Sequence, residues 1–293
     1  MESTIGINPT VLILGGSGFI GKNLLCFLSG KRWDVQGLSS SEVDLTNNAS
    51  IETLLGKYSH QTVLVIAAAI TRDLRSEVAL NQNIAIVRTV IEAMQFQKPV
   101  HCVFFSSSDI YGNANDRLPI HEETLCNPIS FYAVSKLVGE FLLTQFCSQN
   151  KIPLTILRFG GIYGQGNAHG HVVNNFIEAV INDRQLVIYG DGTDTRDYVC
   201  ISDLCTVVER ILSGRILGVL NVVTGVSHSI LKIAQIVMQC FDHKAKICFE
   251  PRQRELLHYC YNNIKISDVM REFAFMQIPD FVRNEFGRNR KIS

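Results

Sequence analysis

The sequence carries no net charge: lysine plus arginine number 27, and so do aspartate plus glutamate. A chain without a basic excess is not built around a nucleic-acid or polybasic membrane surface. No apolar run reaches the ~20 residues needed to cross a bilayer. The start, Met1-Glu2-Ser3-Thr4, lacks the basic and apolar regions of a signal peptide. Nine cysteines stand singly, at 26, 102, 126, 147, 200, 205, 240, 248 and 260, with no C-x-x-C pair. Six of them sit in apolar surroundings and read as small buried hydrophobes. An odd count without framework spacing excludes a disulfide scaffold and suits a reducing cytoplasm. No Cys/His cluster has metal spacing and the eight histidines form no ligand set, so no metal is expected. His169 and His171 read as polar residues on a loop over a cleft. There is no internal repeat, low-complexity linker or clean hinge.

What is present is a globular composition of 293 residues, 46% hydrophobic and 18% charged, enough for one large or two modest domains. The chain is organised around Val11-Leu12-Ile13-Leu14-Gly15-Gly16-Ser17-Gly18-Phe19-Ile20-Gly21. Four aliphatic residues predict a buried strand, the glycines a tight turn, and the residues near Lys22 to Ser29 a helix. Gly16, Gly18 and Gly21 fit a G-x-G-x-x-G frame, and Gly15, Gly18 and Gly21 fit G-x-x-G-x-x-G. Such glycines permit the turn, let backbone N–H groups approach a pyrophosphate, and let helix and strand pack closely. The helix aims its partial positive charge at that pyrophosphate.

Strand and helix patterns then alternate to about residue 158. Strands are predicted at Val35 to Leu38, Val63 to Ala69, Val100 to Phe105 and Leu154 to Phe159. Helices are predicted at Ser50 to Tyr58, with Ser50 as cap, at Val78 to Gln95, and around Tyr132. That alternation predicts an α/β fold, a Rossmann-like doubly wound parallel sheet. Residues 1–165 are read as the dinucleotide-binding domain, completed by parts of 186–223, and 166–293 mainly as a smaller substrate-binding lobe. In the latter half, helices are expected near Val172 to Asn182 and Ser202 to Leu212, and strands at Leu186 to Tyr189 and Val219 to Val223.

Three stretches bear on the cofactor. Ser39-Ser40-Ser41 ends the second strand with hydroxyls where NAD enzymes usually carry an acid, so nothing there repels a 2′-phosphate. That leans to NADP, with NAD as the alternative because Asp44 follows closely and no arginine clamp is evident. Ala67, Ala68 and Ala69 are small enough for a flat cofactor to lie against the backbone, or for close helix–sheet packing. Chemistry points to Tyr132 and Lys136, four apart and so on one helix face. A phenol is a poor acid or base at neutral pH, and a neighbouring ammonium brings it into working range. The pair follows Ser106-Ser107-Ser108 at a strand's carboxyl end, where open α/β sheets bind ligands.

These motifs, in this order, resemble the extended short-chain dehydrogenases/reductases that modify nucleotide-linked sugars. The likeness takes in the glycine turn, Asp44-Leu45, Ala67-Ala68-Ala69 and Asn83. It continues through Ser107 before Tyr111-Gly112, Tyr132-x-x-x-Lys136 and Leu157-Arg158-Phe159 before Ile162-Tyr163-Gly164. Last comes Tyr189-Gly190-Asp191-Gly192 before Thr195-Arg196-Asp197-Tyr198. The resemblance implies that Ser107, with Ser108 beside it, hydrogen-bonds the sugar carbonyl or hydroxyl, that Tyr132 transfers the proton and that Lys136 holds the ribose. It implies cofactor contacts from Gly15, Gly18, Phe19, Ile20, Gly21, Ser39, Asp44, Leu45, Ala67, Ala68, Ala69, Asn83, Phe159 and Ile162. Asp44 would meet the adenine amino group, and Arg196 the pyrophosphate of the sugar nucleotide.

Asp109 either accepts local backbone N–H bonds or, as in relatives that dehydrate, serves as an extra acid/base. Gly161 stands where the family usually has asparagine. The short chain and missing strand-two acid look most like reductases of 4-keto-6-deoxy sugar nucleotides. A 4-epimerase or 4,6-dehydratase is the alternative, and a non-catalytic dinucleotide sensor a third. The resemblance also suggests a homodimer through two helices per subunit.

Overall fold

The computed structural model describes residues 9–71, 76–167 and 171–286; Met1 to Thr4 and His169 lie outside them. In chain order the strands are β1 (Thr10–Leu14), β2 (Val35–Leu38), β3 (Thr62–Ile66), β4 (His101–Phe105), β5 (Leu154–Phe159) and β6 (Gly161–Tyr163). They continue as β7 (Leu186–Tyr189), β8 (Thr195–Arg196), β9 (Tyr198–Cys200), β10 (Gly218–Val222), β11 (His228–Ser229) and β12 (Ile247–Glu250). The helices are α1 (Phe19–Gly30), α2 (Ile51–Leu55), α3 (Glu77–Phe96), α4 (Phe131–Asn150) and α5 (Val172–Ile181). Beyond them lie α6 (Ile201–Gly214), α7 (Ile230–Cys240), α8 (Ile264–Met270) and α9 (Ile278–Phe286). The chain divides into two compact units. One comprises Met1–Gly112, Cys126–Arg158 and Val208–Leu220, the other Asn113–Leu125, Phe159–Val207 and Asn221–Ser293.

The first unit holds a six-stranded sheet in the order β10-β5-β4-β3-β1-β2. Pairing is parallel from β2 through β1, β3 and β4 to β5. From β1 the chain steps out to β2 and returns to the other side of β1 for β3. The point where strand order reverses therefore lies between β1 and β3, the place where open α/β sheets bind ligands. Strands β3 and β4 are buried at every residue, as continuous apolar runs covered on both faces must be. Leu12, Leu14, Leu64, Ile66 and Phe104 of the sheet share one core with Ile86, Val87 and Val90 of α3 and Leu143 of α4. Each such side chain contributes about 1.5–3 kcal/mol on burial.

Two local expectations are corrected. The predicted helix from Ser50 to Tyr58 is a 3-10 turn, Asn48–Ser50, followed by the short α2. Ser50 does not cap it, because its own backbone is already helical. Asn47 does: it is extended, and its Oδ1 accepts from the Ala49 N–H at 3.0 Å. The third strand ends at Ile66 and does not continue to Ala69. The Asn83 side chain takes both the N–H and the C=O of Ile70, at 2.7 and 3.1 Å, and so holds the chain out of the ladder.

In the second unit β7 pairs with β12 and β6 with β9, both parallel, while β8 pairs antiparallel with β11. Tyr163, Phe176, Val180, Ile233, Val237, Phe281 and Val282 form its core. Of residues 186–223, β10 alone joins the six-stranded sheet.

Candidate active site

The glycine turn sits at the reversal point, between the ends of β1 and β3. Gly15 has φ +88°, a left-handed conformation that side chains avoid, and a Cβ there would lie 2.8 Å from the Ala68 backbone. A Cβ on Gly21 would meet the Gly15 carbonyl oxygen at 2.2 Å, so α1 rests directly on the turn. Gly18, by contrast, is exposed, and a Cβ there would meet nothing nearer than 3.4 Å. Gly18 is also the N-cap of α1, and no side chain satisfies the first-turn N–H groups. Phe19 and Ile20 are half-buried beside it. Unsatisfied amides at a helix N-terminus, reached over bare backbone, fit a dinucleotide pyrophosphate.

The β2 side of the turn differs from the sequence expectation. Glu42 folds back onto the strand end: its Oε2 accepts from the Ser39 N–H at 2.9 Å and from Ser39 Oγ at 2.7 Å. These hydrogen bonds hold the Glu42 carboxyl below its ordinary range. A carboxylate therefore does stand at the end of β2, delivered by a residue three positions on. Asp44 is exposed, and its Oδ1 accepts from the N–H and the Oγ1 of Thr46, which lowers its pKa. Leu45 is buried. Ala67, Ala68 and Ala69 are partly exposed beyond β3, and Asn83 is buried with its amide committed to Ile70.

At the carboxyl end of β4 the structure brings together the residues expected to do chemistry. Ser106, Ser107 and Ser108 are all buried. Ser107 caps a 3-10 turn, Ser108–Tyr111, and its Oγ accepts from the Asp109 N–H at 3.1 Å. Its hydroxyl proton is left free to donate elsewhere. Helix α4 starts at a capped end, Ser130 Oγ accepting from the Ala133 N–H at 3.2 Å, and carries Tyr132 and Lys136 on one face. Lys136 is buried, and its Nζ donates to the Phe105 carbonyl at 2.7 Å. The same ammonium lies 5.0 Å from the Phe104 ring and 5.7 Å from the Tyr132 ring. Burial pulls its pKa down to about 8, with the charge of Glu140 opposing. The Tyr132 phenol moves the other way from the expectation: burial first, and then the charge of Asp109, push it up.

Arg196 lies in the second unit, largely buried over the Tyr259 ring, its guanidinium carbon 4.8 Å from the centroid. Its Nη1 donates to the carbonyls of Thr195 and Leu257 at 2.8 and 2.7 Å. Its Nη2 has no hydrogen-bond acceptor, an orphaned donor of the kind an anionic ligand satisfies. Arg252, which sequence reasoning missed, binds Asp191 and Asp194, the latter carboxylate lying 3.8 Å from Arg196. The signal was slight, two arginines in Pro251-Arg252-Gln253-Arg254 after β12. Phe159 ends β5 and Ile162 lies in β6, both buried. A cavity of about 440 Å³ opens at the amino ends of the strands, lined by Lys31, Trp33, His101 and Arg215 among others. It is the wrong end of a parallel sheet for the cofactor.

A glycine turn at the reversal point of a parallel sheet, leading into an uncapped helix, defines a dinucleotide-binding enzyme fold. Residues 11–222 match the model of the NAD dependent epimerase/dehydratase family, and the chain belongs to that family. It is an enzyme of the extended short-chain dehydrogenase/reductase type, in a family that acts on nucleotide sugars with a nicotinamide dinucleotide. Among curated relatives it is 27% identical over 258 residues to the GDP-6-deoxy-D-talose 4-dehydrogenase of Aggregatibacter actinomycetemcomitans. That match covers 84% of this chain and 83% of the relative. Among solved structures, the UDP-glucose 4-epimerase of Thermus thermophilus, in complex with NAD, superposes with a TM-score of 0.84 at 22% identity. It covers 96% of this chain and 99% of the other. RMD from Pseudomonas aeruginosa, complexed with NADPH, gives 0.81 at 22% identity, covering 94% and 96%. At such identities the structural likeness is one of fold. No helix among the described residues is long and apolar enough to cross a membrane.

Proposed function

We propose that the protein is a nucleotide-sugar oxidoreductase that reduces a nucleoside-diphosphate 4-keto-6-deoxy sugar. The observation that carries this reading is the junction of β4 with α4. There Lys136 is bonded to the Phe105 carbonyl two residues before Ser107, and Tyr132 lies one turn away on the same helix face. Gly15, Gly18, Gly21 and Lys136 would hold a nicotinamide dinucleotide, which when bound would supply the hydride. Ser107 donates to the carbonyl oxygen as charge grows there, a preorganised donor of this kind contributing about 2.7–4 kcal/mol. Tyr132 delivers its proton to the same oxygen. A phenol kept protonated by burial and by Asp109 suits that direction of transfer. Arg196 is the proposed partner of the substrate diphosphate, its guanidinium making no hydrogen bond through Nη2 and lying 3.8 Å from Asp194.

NADP(H) is the proposed coenzyme, because β2 itself bears no acid. The carboxylate of Glu42 on Ser39 is the observation that supports NAD in its place. A second reading, 4-epimerase or 4,6-dehydratase, draws on Asp109, whose charge reaches Tyr132. The deciding experiment is incubation with a panel of 4-keto sugar nucleotides, following the absorbance of NADPH or NADH. Consumption of reduced coenzyme by protein purified empty supports the reductase. Tightly retained NAD without net consumption supports the second reading. Retention of Ser107, Tyr132 and Lys136 together argues against a mere dinucleotide sensor. We place the protein in the cytoplasm, on nine cysteines that are odd in number and lack framework spacing, and as a homodimer through α3 and α4. On these helices Val78, Phe96 and Phe141 stay exposed.

A further inference from the structure

Behind Lys136 lies an ion pair that the proposed chemistry does not use. Glu140 of α4 and Arg158 of β5 are both buried, 5% and 7% exposed. The guanidinium grips the carboxylate from the side: Nη2 to Oε2 at 2.6 Å, and Nε to Oε1 at 3.0 Å. Burial alone would lower the Arg158 pKa, but the hydrogen bonds and charges of Glu140 and Tyr111 more than offset it and hold it above the ordinary value. Taking two charges out of water costs more than apolar side chains of similar volume in the same place, so stability is a poor reason for such a pair. What the pair holds is more informative. Ser106 Oγ donates to Glu140 Oε1 at 2.5 Å. Arg158 Nη1 donates to the Tyr111 hydroxyl at 2.9 Å, and its guanidinium carbon lies 5.3 Å from the Tyr111 ring centroid.

Ser106 and Tyr111 bracket the segment that carries Ser107 and Asp109. One end is held by the acceptor of the ion pair, the other by its donor. Glu140 is one helical turn beyond Lys136, and Lys136 is itself bonded to Phe105, the residue before Ser106. Helix α4 is thus tied to the end of β4 twice, at the last strand residue and the one after it, and at consecutive helical turns. Built on the proposed reaction, we infer that the Glu140–Arg158 pair is a positioning device. It sets the Ser106–Tyr111 segment, and with it Ser107 and Asp109, in register with the Tyr132/Lys136 face of α4.

The test uses Ser106→Ala and Tyr111→Phe, each removing one hydroxyl and leaving the ion pair whole. Hydrogen exchange of the amides of residues 107–112 is expected to quicken about tenfold in either variant, with exchange in β1 and β3 unmoved. In turnover, kcat is expected to fall about tenfold or more, since small misplacements of reacting groups cost that much. KM for the sugar nucleotide and the dissociation constant for the dinucleotide should stay within about twofold. The double variant should fall little below the worse single one, because a segment released at one end is no longer held in register by the other. Unchanged exchange at 107–112, or a kcat loss that merely follows a fall in melting temperature, overturns the inference. Quickened exchange in a protein whose wild type turns over no sugar nucleotide overturns the proposed reaction and leaves the clamp standing.

Discussion

Glu42 reaches back to Ser39, its carboxylate accepting from both the backbone N–H and the hydroxyl at the end of β2. The negative charge therefore stands where the adenine ribose of a dinucleotide is read in this fold. Glu42→Gln is expected to tighten NADPH about threefold relative to NADH, a modest effect because the carboxylate is solvated and screened by salt. Fluorescence titration of both reduced coenzymes at low and high salt measures it. An unchanged ratio at low salt removes Glu42 from coenzyme choice.

Tyr132→Phe deletes the proposed proton donor and little else. Turnover is expected to drop about 10²–10⁴-fold, the usual range for a positioned acid. Dinucleotide affinity should hold. Loss of coenzyme binding in step with activity would take Tyr132 out of the catalytic role.

Lys136 carries a pH signature of known sign. Its pKa is about 8 in the folded chain against an ordinary 10.5, so between those values the unfolded state binds more protons. Stability should therefore rise with pH across roughly pH 8 to 10.5, by up to about 3 kcal/mol from this group. Activity should run the other way, kcat/KM falling above about pH 8 as the ammonium is lost. Urea unfolding of wild type and Lys136→Met at pH 7.5 and 9.5 isolates the first effect. An identical pH slope in the two proteins would refute it.

Two glycines in one turn should respond differently. Gly21→Ala forces a methyl to 2.2 Å from the Gly15 carbonyl oxygen, and overpacking of this kind costs about 1–3 kcal/mol. Gly18→Ala meets no such contact, so the melting temperature should barely move while dinucleotide affinity falls. Equal loss of stability in both variants would contradict the geometry.

Much of the protein was legible in the sequence, for local reasons. Continuous aliphatic runs such as Val11 to Leu14 and Val63 to Ile66 can be little else than strands buried on both faces, and the glycines after the first of them declare the turn. The four-residue spacing of Tyr132 and Lys136 places both on one face of α4 before any coordinates exist. The short pieces β6, β8, β9, β11 and β12 were not legible, because two to four residues carry no periodicity and their pairing is settled by distant partners. The same limit hid Glu42 on Ser39, Asn83 on Ile70, and Arg252 beside Asp194. It also hid the phenol of Tyr132 being raised by burial and Asp109, where the spacing to Lys136 alone suggests the reverse. The sequence by itself determined the parallel sheet, the glycine turn and the shared helix face of Tyr132 and Lys136, since each is written in consecutive or helically spaced residues. Only the tertiary structure decided which charges face one another, as Glu140 faces Arg158 across 18 positions. Coulombic and hydrogen-bond energies depend on distance and burial, and neither quantity is a property of position along the chain.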